Sequence, residues 1–210
     1  MERSYRQYCP VAHALDLVGE RWSLLIVRDL LEHGPLRYSD LNCRLTGCGT
    51  NILADRLKKL ERHGIVRRRQ LPPPAAATVY ELTPHGAQLR SVLHELAHWG
   101  ARSLGPPGPE DALQEGWLAG ALRIVLPPGL EGCVEFRADG QVATLVAGDV
   151  REGSAGEPDA VVSGDPEGLY RLLVDRDLDA VAIEGDRAAV AALLEALPPQ
   201  PAEQPAGFAA

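Results

Sequence analysis

The sequence predicts two domains of different class, a mainly α first domain followed by an α+β second domain. Apolar residues in the first half recur at helical spacing, whereas the second half contains short segments in which apolar and polar residues alternate. The formal charge divides in the same way. Residues 1–105 hold 15 Lys and Arg against 10 Asp and Glu, and residues 106–210 hold 6 against 19, so the net charges are +5 and −13. We therefore expect only the first domain to approach a polyanion.

Composition also predicts the domain boundaries and the compartment. Residues 1–105 form the first domain, the Pro- and Gly-rich residues 106–110 a linker, residues 111–199 the second domain, and residues 200–210 a disordered tail. No apolar run approaches the roughly 18 residues that a membrane span needs. The first residues contain no apolar signal segment, and four cysteines in a chain of this length do not make a disulfide framework. We expect a cytoplasmic protein with reduced thiols and no membrane partner.

Four helices are predicted in order in the first domain. They span residues 10–18, 24–31, 38–44 with Ser39 as the cap, and a fourth segment that follows the Thr46–Gly49 turn with Gly49 or Thr50 as its cap. The fourth helix ends at Gly64, which can adopt the left-handed conformation that closes a helix. The third and fourth helices, joined by a tight turn that contains glycine, form a helix-turn-helix.

The fourth helix has an apolar stripe and an opposite polar face. Leu53, Leu57 and Leu60 recur at i, i+4 and i+7. The opposite face carries hydrogen-bonding groups near its start and cations further along, which suits a helix laid in a DNA major groove. The residues predicted to contact DNA from this motif are Ser39, Thr50, Asn51, Asp55, Lys58, Lys59 and Arg62. For this helix taken alone, an ordinary solvated surface helix is the alternative.

A hairpin is predicted after the fourth helix. Residues 65–71 and 79–82 form its strands, and the Pro-rich residues 72–78 connect them, so the hairpin has the character of a wing. Alternate side chains of a strand point to opposite faces, so Arg67 and Arg69 can face DNA together. An arginine of a wing suits the minor groove, where negative potential is concentrated. The alternative is that the arginines of this strand are ordinary surface charges in contact with solvent.

A long helix, capped by Thr83 and Pro84 and running to about Arg102, closes the first domain. One of its sides is apolar and carries Leu89, Val92, Leu93, Leu96 and Trp99.

Residues 9–100 resemble the HxlR family of bacterial winged-helix transcription regulators. The motifs that carry the resemblance are Cys9-Pro10-Val11, Gly19-Glu-Arg-Trp22, Leu30 with Gly34, Tyr38-Ser-Asp-Leu41, Leu53-x-x-x-Leu57-x-x-Leu60-Glu-x-x-Gly64-Ile-Val, Tyr80-x-Leu-Thr83 and Trp99-Gly100. The resemblance implies a homodimer built through the first and last helices of the domain, which binds double-stranded DNA at a palindromic operator. Gly49-Thr50 stands where the family usually has Ser-Pro, so the recognition helix begins less rigidly.

The second domain is predicted as helices packed on one face of a small sheet. Strands are expected at residues 133–137 and 142–147, with a turn at Asp139-Gly140, and at 159–163. The helices that cover the sheet are expected at 112–126, 166–174 and 187–197. Val134 and Phe136 should point inward, and Glu135 and Arg137 outward.

The second half resembles the sterol carrier protein fold, a small α/β domain with an apolar tunnel for lipid-like ligands. The resemblance rests on Pro158-Asp-Ala-Val161, Gly164-Asp-Pro-Glu-Gly-Leu-Tyr-Arg-Leu-Leu173 and Ile183-Glu-Gly-Asp186, although the stretch between Leu173 and Ile183 is shorter than in that fold. It implies an apolar small-molecule effector. The residues expected to line its pocket are Trp117, Leu122, Phe136, Leu145, Leu169 and Leu173, each of which core packing explains equally well.

The sequence does not predict an enzyme. His94-Glu-Leu-Ala-His98 matches the H-E-x-x-H pattern of zinc proteases, but no third ligand stands at a recognisable spacing, so a solvated helix face is the prediction. The chain contains no Gly-rich phosphate loop, no G-x-S-x-G and no convincing acid pair. We expect no catalytic residue, cofactor or metal.

Cys9 leaves a second function open. It stands just before the first helix, whose N-terminus would lower the pKa of the thiol with help from Arg6 or Arg21. In some members of the family that the chain resembles, a cysteine here senses oxidants or electrophiles. Two alternatives therefore stand. The first is a repressor whose second domain senses an apolar molecule. The second is a redox-responsive or electrophile-responsive regulator whose second domain does not sense a ligand. A buried interface residue is the plainer interpretation of Cys9, as core packing is for Cys43 and Cys48.

Overall fold

The computed structural model describes residues 4–101, 103–108, 111, 113–127 and 129–197. The chain divides into two compact units, residues 1–95 and 96–210. The predicted tail at 200–210 and two residues of the predicted linker, 109 and 110, lie outside the described residues. Among the described helices, none combines the length and the apolar composition that crossing a bilayer requires.

The first unit is mainly α, with a small sheet. Its elements are α1 (Pro10–Val18), α2 (Ser23–His33), β1 (Leu36–Arg37), α3 (Tyr38–Arg44), α4 (Thr50–Arg62), β2 (Val66–Gln70), β3 (Thr78–Leu82), α5 (Pro84–Ala87) and α6 (Leu89–Ala101), the last of which continues past the division between the units. The sheet is antiparallel, with β3 between β1 and β2. The hydrophobic pattern does not predict β1, because two residues are too short to show a period.

The apolar stripe of α4 builds the core of this unit. Leu53, Leu57 and Leu60 are fully buried against a cluster that includes Ile26 of α2 and Leu41 of α3. Burial of one such side chain contributes about 1.5–3 kcal/mol to folding. The predicted helical face is therefore confirmed, and it fixes which side of α4 is left for solvent.

Two local predictions in the first unit are wrong. Ser39 does not cap α3: the cap is Arg37, whose backbone N–H donates to Asp40 Oδ2 at 2.9 Å. The long last helix is interrupted at Gln88, whose N–H donates to the carbonyl of His85 at 3.2 Å, three residues back instead of four. The cap of α5 is as predicted, because Thr83 Oγ1 accepts from the N–H of Gly86 at 3.1 Å.

The second unit is an α+β arrangement. Its elements are α7 (Trp117–Val125), β4 (Cys133–Ala138), β5 (Gln141–Val146), β6 (Asp149–Glu152), β7 (Ala160–Ser163), α8 (Pro166–Tyr170) with a π-helical turn at Arg171–Asp175, β8 (Ala182–Gly185) and α9 (Arg187–Ala196). The strand order is β6-β5-β4-β7-β8, and all pairs are antiparallel except β4 with β7. The predicted turn is confirmed, with Asp139 and Gly140 at φ +49° and +73°. Helix α7 is shorter than predicted because Gly116, at φ +84°, adopts the left-handed conformation before it.

The sheet of the second unit is covered on more than the predicted face. Val134 and Phe136 point into a core formed with α7, α8 and α9, as predicted. Glu135, expected outward, is only 2% exposed, and that expectation is wrong. The chain after β6 folds over this second face, where Thr144 Oγ1 donates to the carbonyl of Gly153 at 2.8 Å. Strand alternation predicts the face of a residue but not what covers that face.

Candidate nucleic-acid interface

The turn between α3 and α4 is held by hydrogen bonds at both ends. The Cys48 N–H donates to the carbonyl of Leu45 at 2.9 Å, and the Tyr38 hydroxyl donates to the carbonyl of Thr50 at 2.7 Å. Gly49 caps α4 without a side chain, and Gly64 closes the helix at φ +67°, as predicted. The first turn of α4 is therefore fixed to α3 even though the helix does not begin with a proline.

The face of α4 opposite the leucines is exposed. Among the residues predicted to contact DNA, those with exposed side chains on this motif are Ser39, Thr50, Asn51, Asp55, Lys58 and Arg62. Asn51 stands in the first turn, and Lys58 and Arg62 stand in the later turns. The arrangement can place an amide near base edges and cations near phosphates.

Lys59 differs from the other predicted residues of α4. Its side chain is half-buried, and its Nζ lies 3.2 Å from Glu20 Oε1 and 4.0 Å from Asp55 Oδ2. Arg56 joins the same cluster, with Nη2 at 3.1 Å from Glu20 Oε2 and Nε donating to the carbonyl of Arg21 at 3.3 Å. These contacts tie α4 to the connection between α1 and α2. Sequence reasoning missed Glu20 and Arg56, since no local pattern reveals partners more than thirty positions apart.

The wing divides its three arginines between two faces. Arg67 and Arg69 share one carboxylate: Arg67 Nε donates to Glu81 Oε1 at 2.8 Å, and Arg69 Nε donates to Glu81 Oε2 at 2.7 Å. Arg68 points to the opposite face, where its Nε donates to Glu61 Oε1 at 3.0 Å. The hydrogen bond from Arg69, together with that from Arg67, holds the pKa of Glu81 below its ordinary value against the opposing effect of burial. Arg67 and Arg69 therefore lie on one face, as predicted, and Glu81 is the counter-ion that they share.

The six residues predicted to line a ligand pocket lie in or against the core of the second unit. Leu122, Phe136, Leu145, Leu169 and Leu173 are buried members of one cluster, and Trp117 is half-buried against it. A groove of about 460 Å³ lies elsewhere in this unit, and its lining is Arg176, Leu178, Ala191, Leu194, Glu195 and Leu197. Burial lowers the pKa of Arg176. Helical spacing alone does not distinguish such lining residues from core residues.

The four cysteines are free thiols in different settings. Cys9 is half-buried and stands at the N-cap of α1, where its backbone carbonyl accepts from the N–H of His13 at 2.9 Å. Cys48 lies in the core, as predicted, and burial raises the pKa of its thiol. Cys43 is exposed, so the core packing expected for it is wrong, and Cys133 is half-buried.

The two histidines of the H-E-x-x-H pattern lie on α6, His94 exposed and His98 half-buried. Within the described ranges, no three side chains of His, Cys, Asp or Glu lie close enough together to hold a metal ion.

Comparison with known proteins matches the first part of the chain to one family. Residues 17–107 fit the family described as HxlR-like helix-turn-helix. The HTH-type transcriptional regulator YodB of Bacillus subtilis is 36% identical over 92 residues, which are 43% of this chain and 81% of that protein. The uncharacterized HTH-type transcriptional regulator sll1512 of Synechocystis is 39% identical over 85 residues, and the chain spans 62% of the length of that protein. The resemblance of the N-terminal residues to the HxlR family is thereby confirmed.

Among solved structures, the chain is similar to the reduced form of YodB from B. subtilis. The match has 34% sequence identity and a TM-score of 0.41, and it covers 46% of this chain and 94% of that one.

Proposed function

The chain belongs to the HxlR-like helix-turn-helix family of transcriptional regulators, and from that premise we propose that it binds a palindromic operator as a homodimer and represses transcription. The observation that supports the DNA contact most directly is the polar face of α4, on which Asn51, Lys58 and Arg62 are exposed beside a wing with three arginines. In a homodimer, two such helices reach successive major grooves when they lie about 34 Å apart.

Exposed apolar residues support the homodimer. Val11 of α1 and Trp99 of α6 are 68% and 69% exposed, and no described side chain of α6 is fully buried. The apolar side predicted for the last helix is divided, since Leu89 and Leu93 pack on the core while Val92, Leu96 and Trp99 face outward. Exposed apolar groups of this kind mark protein interfaces. We place the dimer contact on α1 and α6.

The test of this part is a titration of the purified chain with the DNA upstream of its own gene. The expected result is saturable binding with two chains per duplex at physiological salt. Binding that is no tighter than to an unrelated duplex of the same length would contradict an operator at that place.

The second unit is proposed to sense an apolar small molecule. The groove of about 460 Å³ has the volume of a ligand pocket, which is roughly 300–1,000 Å³, and four of its six lining residues are apolar. Arg176 is the cationic residue of its lining and could hold one anionic group. The likeness to the sterol carrier protein fold stays a prediction. A coupling of about 1–3 kcal/mol between groove and recognition helices would change operator occupancy several-fold or more.

Filling the groove tests the effector. A panel of apolar compounds is screened by thermal unfolding, in which a ligand at a hundred times its Kd adds about 2.7 kcal/mol of stability. Ala191→Trp should remove this shift and leave DNA binding without ligand unchanged. Ala192→Trp, one residue along α9 and exposed, is the matched control and should keep the shift. A shift that survives Ala191→Trp would place the ligand elsewhere.

Cys9 supports the second candidate function, a redox-responsive or electrophile-responsive regulator. Its position at the N-cap of α1 places the thiol on one of the two helices proposed to form the dimer, where a modification of the sulfur would alter the contact. A thiol oxidant should then release DNA from the unmodified chain and not from Cys9→Ser. An equal response of both proteins would remove this candidate.

A further inference from the structure

Glu81 stands between the two arginines that share a face of the wing. Its Oε1 accepts from Arg67 through Nε at 2.8 Å and lies 2.7 Å from Arg67 Nη2, and its Oε2 accepts from Arg69 at 2.7 Å. The strand pairing explains the geometry, because Glu81 lies directly opposite Arg67 and diagonally opposite Arg69. The Glu81 side chain is 12% exposed, whereas those of Arg67 and Arg69 are 61% and 42% exposed.

The carboxylate changes what the two arginines present to DNA. Residues i and i+2 of a strand lie roughly 7 Å apart, so two guanidinium groups on one face repel each other unless an anion lies between them. With Glu81 ionised, the three side chains carry a net charge of +1 instead of +2. Each guanidinium has five N–H donors, and the bonds to Glu81 leave donors on both arginines.

Resting on the proposed contact between the wing and DNA, we propose that Glu81 positions Arg67 and Arg69 and limits the wing to the charge of one phosphate contact, which restrains binding to DNA of any sequence. Non-specific affinity follows the number of phosphates that a protein neutralises, and the salt dependence of binding measures that number. A carboxylate that cancels one of two charges thus weakens the sequence-independent part of binding. It also holds both guanidinium groups in one fixed arrangement, which favours a DNA backbone whose phosphates lie at the matching positions.

The experiment measures binding of the full chain to a mixed-sequence duplex of about 30 base pairs, long enough for two half-sites one helical turn apart. Glu81→Gln keeps the shape of the side chain and removes its charge. Its plot of log affinity against log salt should steepen by about 0.9 for each wing. For a homodimer, the affinity lost between 50 and 200 mM salt should therefore be about tenfold larger than for the unmodified chain.

Glu61→Gln is the matched control. It removes the same charge from the carboxylate that binds Arg68 on the opposite face of the same hairpin, and it should leave the slope unchanged. Arg69→Gln/Glu81→Gln restores the net charge of the unmodified wing, so its slope should return to the original value. Thermal unfolding of each variant reports whether the hairpin remains folded.

An unchanged slope in Glu81→Gln would overturn the proposal, and so would an equal change in Glu61→Gln, because position would then not matter. The contact between wing and DNA is tested separately by Arg67→Ala/Arg69→Ala. If this variant keeps the original affinity and slope, the wing does not bind DNA and the proposed function fails at that point. If the salt slope of Arg67→Ala/Arg69→Ala is lower than that of the unmodified chain while the slope of Glu81→Gln is not higher, only the role of Glu81 is refuted.

Discussion

The two units differ in what they leave exposed. The first unit presents a polar helix face and a wing, with exposed apolar residues on α1 and on the part of α6 that lies before residue 96, two kinds of surface that suit two different partners. The second unit buries even Glu135 and Thr144 of its sheet, and residues 106–210, which form most of it, have a net charge of −13. The proposed contact with DNA therefore uses surfaces of the first unit, whereas the proposed effector site is a groove in a second unit that is internally packed.

The largest expected effects come from the two cores. Leu57→Ala and Phe136→Ala should each cost about 3–5 kcal/mol of folding free energy, since both side chains are fully buried. The buried clusters are separate, so Leu57→Ala should abolish DNA binding while Phe136→Ala leaves it intact. Denaturant unfolding and DNA titration of both variants measure this. Loss of DNA binding in a folded Phe136→Ala chain would show that the units do not act independently.

The next effect concerns the dimer. Trp99→Asp places a charge in the proposed contact and should cost at least about 2 kcal/mol, as for an aromatic hot spot, so the dimer dissociation constant should rise about thirtyfold or more. Leu104→Asp is the control, because Leu104 is also exposed but lies beyond α6. Sedimentation equilibrium distinguishes the two. Equal dissociation in both variants would move the interface away from α6.

A smaller effect is expected from the buried carboxylate of the second unit. Hydrogen bonds to Glu135 from Ser154 and from Arg137 lower its pKa from the ordinary 4.5. Its contribution, about 1–3 kcal/mol, is therefore present above that ordinary value and is lost as pH falls through the lowered pKa. Glu135→Gln should be less stable than the original chain at neutral pH, with the difference vanishing in acid. Glu184→Gln, an exposed carboxylate on the same face of the sheet, should show no such difference.

The smallest effect is expected at the ion pairs that join α4 to the connection between α1 and α2. Glu20→Gln removes one of the two carboxylates that contact Arg56 and Lys59, the other being Asp55, and a surface ion pair contributes about 0.2–1 kcal/mol. DNA affinity should fall by no more than about fivefold, because the helix loses only part of its attachment. Glu32→Gln, a carboxylate change on α2, serves as the control for net charge. A loss of the same size in Glu32→Gln would show that the contacts of Glu20 with α4 do not explain the effect.

Much of the first unit is predictable because its signals are local. The bounds of α1 and α3 agree with the predicted helices, since Pro10 starts one and the chain turns at Gly34 before the other. The break at Gln88 and the cap at Arg37 are local too, since each rests on a hydrogen bond between residues three positions apart, but the apolar spacing continues through Gln88 and arginine is not a common cap residue. Glu135 in the second unit has a different cause, because its burial depends on the segment that follows β6.

The candidate site divides similarly. The spacing of the α4 leucines predicts which face is exposed, and strand alternation predicts that Arg67 and Arg69 lie together. The contacts of Lys59 with Glu20 and of the wing arginines with Glu81 require knowledge of the fold. The same holds for the groove, whose lining comes from α9 and the chain after the π-helical turn.

Salt-dependent DNA titration of Arg69→Ala and Asn51→Ala tests the central claim most directly, using the DNA upstream of the gene and a mixed-sequence duplex. Arg69→Ala should weaken binding to both duplexes and lower the salt slope by about one for each wing, as expected for a lost phosphate contact. Asn51→Ala should keep the slope and lose about 1–3 kcal/mol for each half-site, only on the specific DNA, through one base pair of that half-site. If both variants bind both duplexes as the original chain does, α4 and the wing are not the DNA surface.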